Sequence, residues 1–118
     1  MLFRSDHPNA PTRPAWHHTV LAASLLGQVD RLKSASELIR WSSENWDGTG
    51  MPDHLVAAQI PLRSRLLRAA SDFLDLVEGR HEGDGLTAQQ AIAELRSRQG
   101  TWYDPLALTH LEAEILGR

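Results

Sequence analysis

A chain of 118 residues with a net charge of -3 and no cysteine has room for one hydrophobic core and excludes disulfides, thiolate metal sites and thiol catalysis. Apolar residues make up 42% and charged residues 23%, as in an ordinary globular domain, and the mild acidity gives no overall basic field for nucleic acid or an anionic membrane. Val20 to Leu26, the most apolar stretch, is too short to span a bilayer. Arg4, Asp6 and two prolines stand where a signal peptide needs an apolar run, so the expected location is cytoplasmic.

Residues 1–14 carry Pro8, Pro11 and Pro14 and read as a flexible N-terminal arm before a helical domain over residues 15–118. Trp16 to Leu26 reads as the first helix, with Gly27 suited to its C-terminal end. Lys33 to Ser42 reads as the second, from the helical spacing of Ala35, Leu38 and Ile39. The segment from Asn45 to Asp53, with Gly48, Gly50 and Pro52, reads as a structured loop.

A third helix is expected to open at Pro61. Leu62, Leu66, Ala69, Ala70, Phe73, Leu76 and Val77 form its apolar stripe, with Arg63, Arg65, Arg68, Asp72 and Asp75 in the remaining positions. A charged, glycine-bearing loop follows over residues 79–85. Thr87 and Gln90 have the spacing of a capping box for a fourth helix, which Gly100 follows. Asp104 and Pro105 open a fifth. No stretch alternates with period two, so the expected fold is all-α, a bundle of about five helices. Nucleophile elbows, lysine-bearing phosphate loops, His-x-x-x-His pairs and His-Asp dipeptides are all missing from the sequence; composition and spacing alone stop at a small helical domain.

The loop and the helix after it carry a longer pattern. Glu44-Asn45-Trp46-Asp47-Gly48-Thr49-Gly50-Met51-Pro52, followed by Ile60-Pro61-Leu62-Arg63-Ser64-Arg65-Leu66, resembles the HD-GYP family of bacterial cyclic di-GMP phosphodiesterases, whose pattern runs His-His-Glu-x-Trp-Asp-Gly-x-Gly-Tyr-Pro and then Ile-Pro-Leu-x-x-Arg-Ile. Leu86-Thr87-Ala88-Gln89-Gln90-Ala91 and Gly100-Thr101-Trp102-Tyr103-Asp104-Pro105 extend the match. The resemblance covers His18 to Ile115 and corresponds to the C-terminal half of the family domain. It implies a truncated HD-domain-like bundle with a glycine-rich, GYP-type loop.

Departures from the family pattern fall on its metal ligands. One family histidine is kept, as His18. The His-His pair corresponds to Ser42 and Ser43, and the aspartate of the Ala-Asp-x-x-Asp segment to Ser71. Serine hydroxyls are poor ligands for iron or manganese, so the resemblance implies no metal, no cofactor and no catalytic residues, with His18 a vestige. The loop tyrosine corresponds to Met51, and a basic segment that would meet the nucleotide to Arg80-His81-Glu82-Gly83, leaving Arg80 and Met51 as vestigial ligand-binding positions.

The resulting expectation is a non-enzyme: a catalytically inactive module with a regulatory or protein-interaction role in cyclic di-GMP or two-component signalling. Trp46, Asp47, Gly48, Thr49, Gly50, Met51, Pro52 and Asp53 would form the interaction loop, and a GGDEF-type diguanylate cyclase or another signalling protein would be the partner. The competing expectation is a half-domain that still binds or hydrolyses cyclic di-GMP through His18 and Arg80 once another chain completes a metal site. A truncated bundle also exposes apolar surface, to be covered by a homodimer, a partner chain or the N-terminal arm. Neither nucleic acid nor a membrane is expected as a partner.

Overall fold

The computed structural model describes residues 16–28, 33–79 and 84–117; the N-terminal arm and Arg80 lie outside the described residues. Among the described residues five α-helices follow in order: α1 (Trp16–Leu26), α2 (Lys33–Arg40), α3 (Leu62–Glu78), α4 (Ala88–Arg96) and α5 (Pro105–Leu116). A short 3-10 turn, Ala57–Gln59, precedes α3. No strand forms among the described residues, only the isolated bridges Asp47–Val56 and Gln99–Tyr103. The architecture is the expected all-α bundle.

Local chemistry sets most of the helix ends. The Thr87 hydroxyl oxygen accepts a hydrogen bond from the Gln90 N–H, and Gln90 Oε1 accepts one from the Thr87 N–H, the reciprocal box that opens α4. Thr87→Ala is expected to cost about 1 kcal/mol, read as a small fall in the chemical-denaturation midpoint. Asp104 accepts from the Leu106 N–H at 2.9 Å, with Pro105 in the first turn of α5. α3 ends at Gly79, at φ +65, the left-handed conformation that costs glycine least. Two boundaries move: α2 stops at Arg40 rather than Ser42, and Pro61 sits one position before α3.

Helices α3, α4 and α5 pack on one another, and α1 packs on α2; the lighter contact of α2 with α3 joins the two groups. The central core is Ala69, Phe73, Leu76, Leu86, Ala91, Ile92, Leu95, Tyr103 and Leu108. Not all of the α3 stripe is inside. Leu62 is 53% exposed, and Leu66 and Ala70 are only half-buried, because α4 and α5 cover the 69/73/76 side. Arg68 and Asp72, which the stripe assigned to its outer positions, are buried.

Candidate functional site

The glycine loop is built on Glu44 and Asn45, both buried directly after α2. Glu44, 2% exposed, accepts from the backbone N–H of Asp53 at 2.6 Å and of Leu55 at 2.9 Å. One carboxylate thus closes the loop from inside, satisfying two donors that no helix or sheet partner reaches. Asp47 accepts from the Thr49 N–H at 3.1 Å and its hydroxyl at 2.6 Å, an Asx-type turn. Asn45 Nδ2 donates to Thr49 Oγ1 at 2.9 Å.

The two loop glycines act differently. Gly48 takes φ +86, a conformation that a side chain resists. Gly50 has no such φ; its requirement is close approach, since a Cβ there would collide with the backbone nitrogen of Asn45. Met51, a member of the expected interaction loop, is half-buried, and its N–H donates to the Ser43 carbonyl. Asp47, Thr49 and Asp53 form the exposed rim, with Pro52 half-buried between them.

Two arginines tie the loop to the bundle. Arg65 Nε donates to the Ile60 carbonyl and Nη1 to Asp104 Oδ2, both at 2.8 Å, while its guanidinium carbon lies 5.8 Å from the centroid of the half-buried Trp46 ring. Arg68, 4% exposed, donates to Asp72 at 3.0 Å and to both the Glu44 carbonyl and Asn45 Oδ1 at 2.8 Å. Its guanidinium lies over the rings of Trp102 and Tyr103, and the Tyr103 hydroxyl donates to Asp72 at 2.6 Å. The backbone adds Trp46 N–H to the Trp102 carbonyl and Asp47 N–H to the Thr101 carbonyl. Sequence reading missed the roles of Glu44, Arg68 and Asp72; the Arg68–Asp72 spacing of four was the available signal.

At the outer edge, Asp53 accepts from the Trp41 indole at 2.7 Å and from Arg40 Nε at 3.2 Å. These bonds, the Trp41 one foremost, hold its carboxyl below the ordinary value of 3.8. A depressed folded pKa means the contact stabilises above the unfolded value and is lost as pH falls through the folded one. The Trp41 indole N–H resonance is therefore expected to hold its position from neutral pH down to the ordinary carboxylate range and to move only below it. Asp53→Asn should remove that transition.

The family's ligand positions do not form a metal site here. Ser42 Oγ donates to the Ile39 carbonyl at 2.8 Å, and Ser43 Oγ meets Thr19 Oγ1 at 3.4 Å. This contact brings α1 to the end of α2, next to His18, which is exposed, as is Ser71 on α3. No group of three His, Cys, Asp or Glu side chains able to hold a metal is found among the described residues, so the donor set they provide does not fit a metal cluster. Nor is any helix among them long and apolar enough to cross a membrane.

An all-α bundle carrying an internally braced Glu-x-x-Asp-Gly-x-Gly loop defines a helical domain of the HD type. The HD domain family matches residues 12–106, and the chain belongs to that family. It is similar to the cyclic di-GMP phosphodiesterase response regulator RpfG of Xanthomonas campestris pv. campestris (strain 8004), 37% identical over 62 residues, covering 52% of this chain and 16% of that protein. A cyclic di-GMP phosphodiesterase of Thermotoga maritima is 28% identical over 103 residues, 83% of this chain and 28% of the relative. A 3'3'-cGAMP-specific phosphodiesterase 2 of Vibrio cholerae is 29% identical over 90 residues, 75% and 17% respectively. The chain thus spans less than a third of the length of these relatives. They bear out the HD-GYP resemblance and overturn the expectation of a non-enzyme, since each is named as a phosphodiesterase.

Proposed function

We propose that this chain carries the loop-bearing half of a cyclic-dinucleotide phosphodiesterase domain. The observation that carries the reading is the Glu44-closed glycine loop, braced through Arg68 on an HD-type bundle. The phosphodiesterase names of its relatives support the substrate class. In this reading the histidine and carboxylate donors absent at Ser42, Ser43 and Ser71 come from outside the described residues, and the chain's own contribution is a rigid loop and the exposed His18 edge of α1. The test is to incubate the full chain, with manganese or ferrous iron, with cyclic di-GMP and with 3'3'-cGAMP, following linear dinucleotide by chromatography and binding by calorimetry. Hydrolysis or saturable binding supports the reading; neither, with either nucleotide, sinks it.

A second reading has the loop rim as a protein-docking surface for a GGDEF-type cyclase. The rigid, exposed Asp47, Thr49 and Asp53 rim favours it. Met51→Asp is expected to abolish such binding while costing less than the ~2–5 kcal/mol of a core truncation, because Met51 is only half-buried. Unchanged cyclase binding by this variant would refute the docking role.

A further inference from the structure

Residues 53–59 lead from the glycine loop toward α3, and none of them is buried or belongs to the central core. Polar contacts hold them. The Asp53 and Leu55 N–H groups donate to the buried Glu44 carboxylate at 2.6 and 2.9 Å, and the Ala57 N–H donates to the Trp46 carbonyl at 2.9 Å. On the outer side the Asp53 carboxylate meets Trp41 and Arg40. Val56 lies against Gly48, where a Cβ would run into the valine side chain.

The backbone of the same segment works against those bonds. His54 takes φ +55 and Ala57 φ +51, the left-handed region, where a Cβ crowds the following carbonyl oxygen. They are the two residues other than glycine with positive φ among the described residues. Each stands at a holding point: His54 between the two amides that Glu44 accepts, and Ala57 at the amide that Trp46 accepts. Backbone strain persists only where the surroundings over-determine it, and a segment with little buried apolar contact lies at the low end of local stability. We infer that residues 53–57 form a strained strap across the glycine loop, held shut by the Glu44 carboxylate and the Trp46 carbonyl, which opens as a unit before the root of the loop does. Opening frees Glu44 from both donors and lifts Val56 from Gly48, while the Trp46 and Asp47 N–H groups stay on the Trp102 and Thr101 carbonyls. The inference goes beyond the catalytic reading, and its test needs no nucleotide.

Native-state hydrogen exchange of the full chain provides that test. Protection of the Asp53, Leu55 and Ala57 amides is expected to be similar among the three and lower than that of the Trp46 and Asp47 amides. His54→Gly and Ala57→Gly should each raise it roughly two- to fivefold, because the relief of a left-handed Cβ outweighs the extra chain entropy that glycine loses on folding. The Trp46 and Asp47 amides should keep their wild-type protection. His54→Ala removes the imidazole but keeps the strained backbone, so it should bring no gain. Ala58→Gly, at an exposed neighbour without positive φ, should lower protection of the strap. Either left-handed position failing to gain protection as glycine overturns the inference, as does an equal gain from His54→Ala or Ala58→Gly. Exchange of the Trp46 and Asp47 amides in step with the strap overturns it too.

Discussion

Arg68→Met is expected to be among the most damaging single substitutions in the described domain, lowering stability by about 3–5 kcal/mol. The change leaves Asp72, 3% exposed, as a buried carboxylate without its guanidinium partner, still accepting from the Tyr103 hydroxyl, and it strips the Glu44 carbonyl and Asn45 Oδ1 of their shared donor. Domains of this size are stable by only about 5–15 kcal/mol, so a large fall in the thermal midpoint should be measurable by circular dichroism. The compensated variant Arg68→Met/Asp72→Leu/Tyr103→Phe tests the cause. Removing all charged and hydroxyl partners together should recover much of the loss, since a buried ion pair contributes little over a well-packed apolar replacement. If Arg68→Met alone melts like the wild type, the buried network is not what holds the loop root to α3.

Glu44→Ala is expected to cost about 3 kcal/mol, because hydrogen bonds to a charged group contribute roughly 1.5–3 kcal/mol each and Glu44 makes two, to the N–H groups of Asp53 and Leu55. The loss should be concentrated in the loop. Hydrogen exchange of the Asp53 and Leu55 amides should rise well before that of the α3–α5 core, whose cluster does not include Glu44. Glu44→Gln keeps an acceptor oxygen and should retain part of the protection. Equal acceleration in loop and core would show that the loop and the bundle open as one unit, contrary to the division between loop and core. If Glu44→Ala also abolishes cyclic-dinucleotide binding while the core stays protected, the loop's shape is what the nucleotide reads.

The sequence by itself determined the elements whose causes lie within a few residues. Thr87 with Gln90, and Asp104 with Pro105, place the starts of α4 and α5 because a cap and the N–H it satisfies are only two or three positions apart. The stretch Glu44 to Pro52 identified the loop and the family, since glycines and short polar side chains in that order specify a turn locally.

What tertiary structure decided was the side of α3 that faces inward and the work of its charges. Arg68 reaches Glu44 and Asn45, residues 24 and 23 positions away, and Tyr103 reaches Asp72 across 31. No helical period encodes such partners. Helical spacing alone therefore put Arg68 and Asp72 outside and Leu66 inside, whereas a charge can be buried once a distant chain segment supplies its counter-charge and acceptors. The packing of α4 and α5 covers the 69/73/76 side of the stripe and leaves Leu62 and Leu66 on a groove. The contact of Thr19 with Ser43 likewise depends on α1 folding back to the end of α2, 24 residues along the chain.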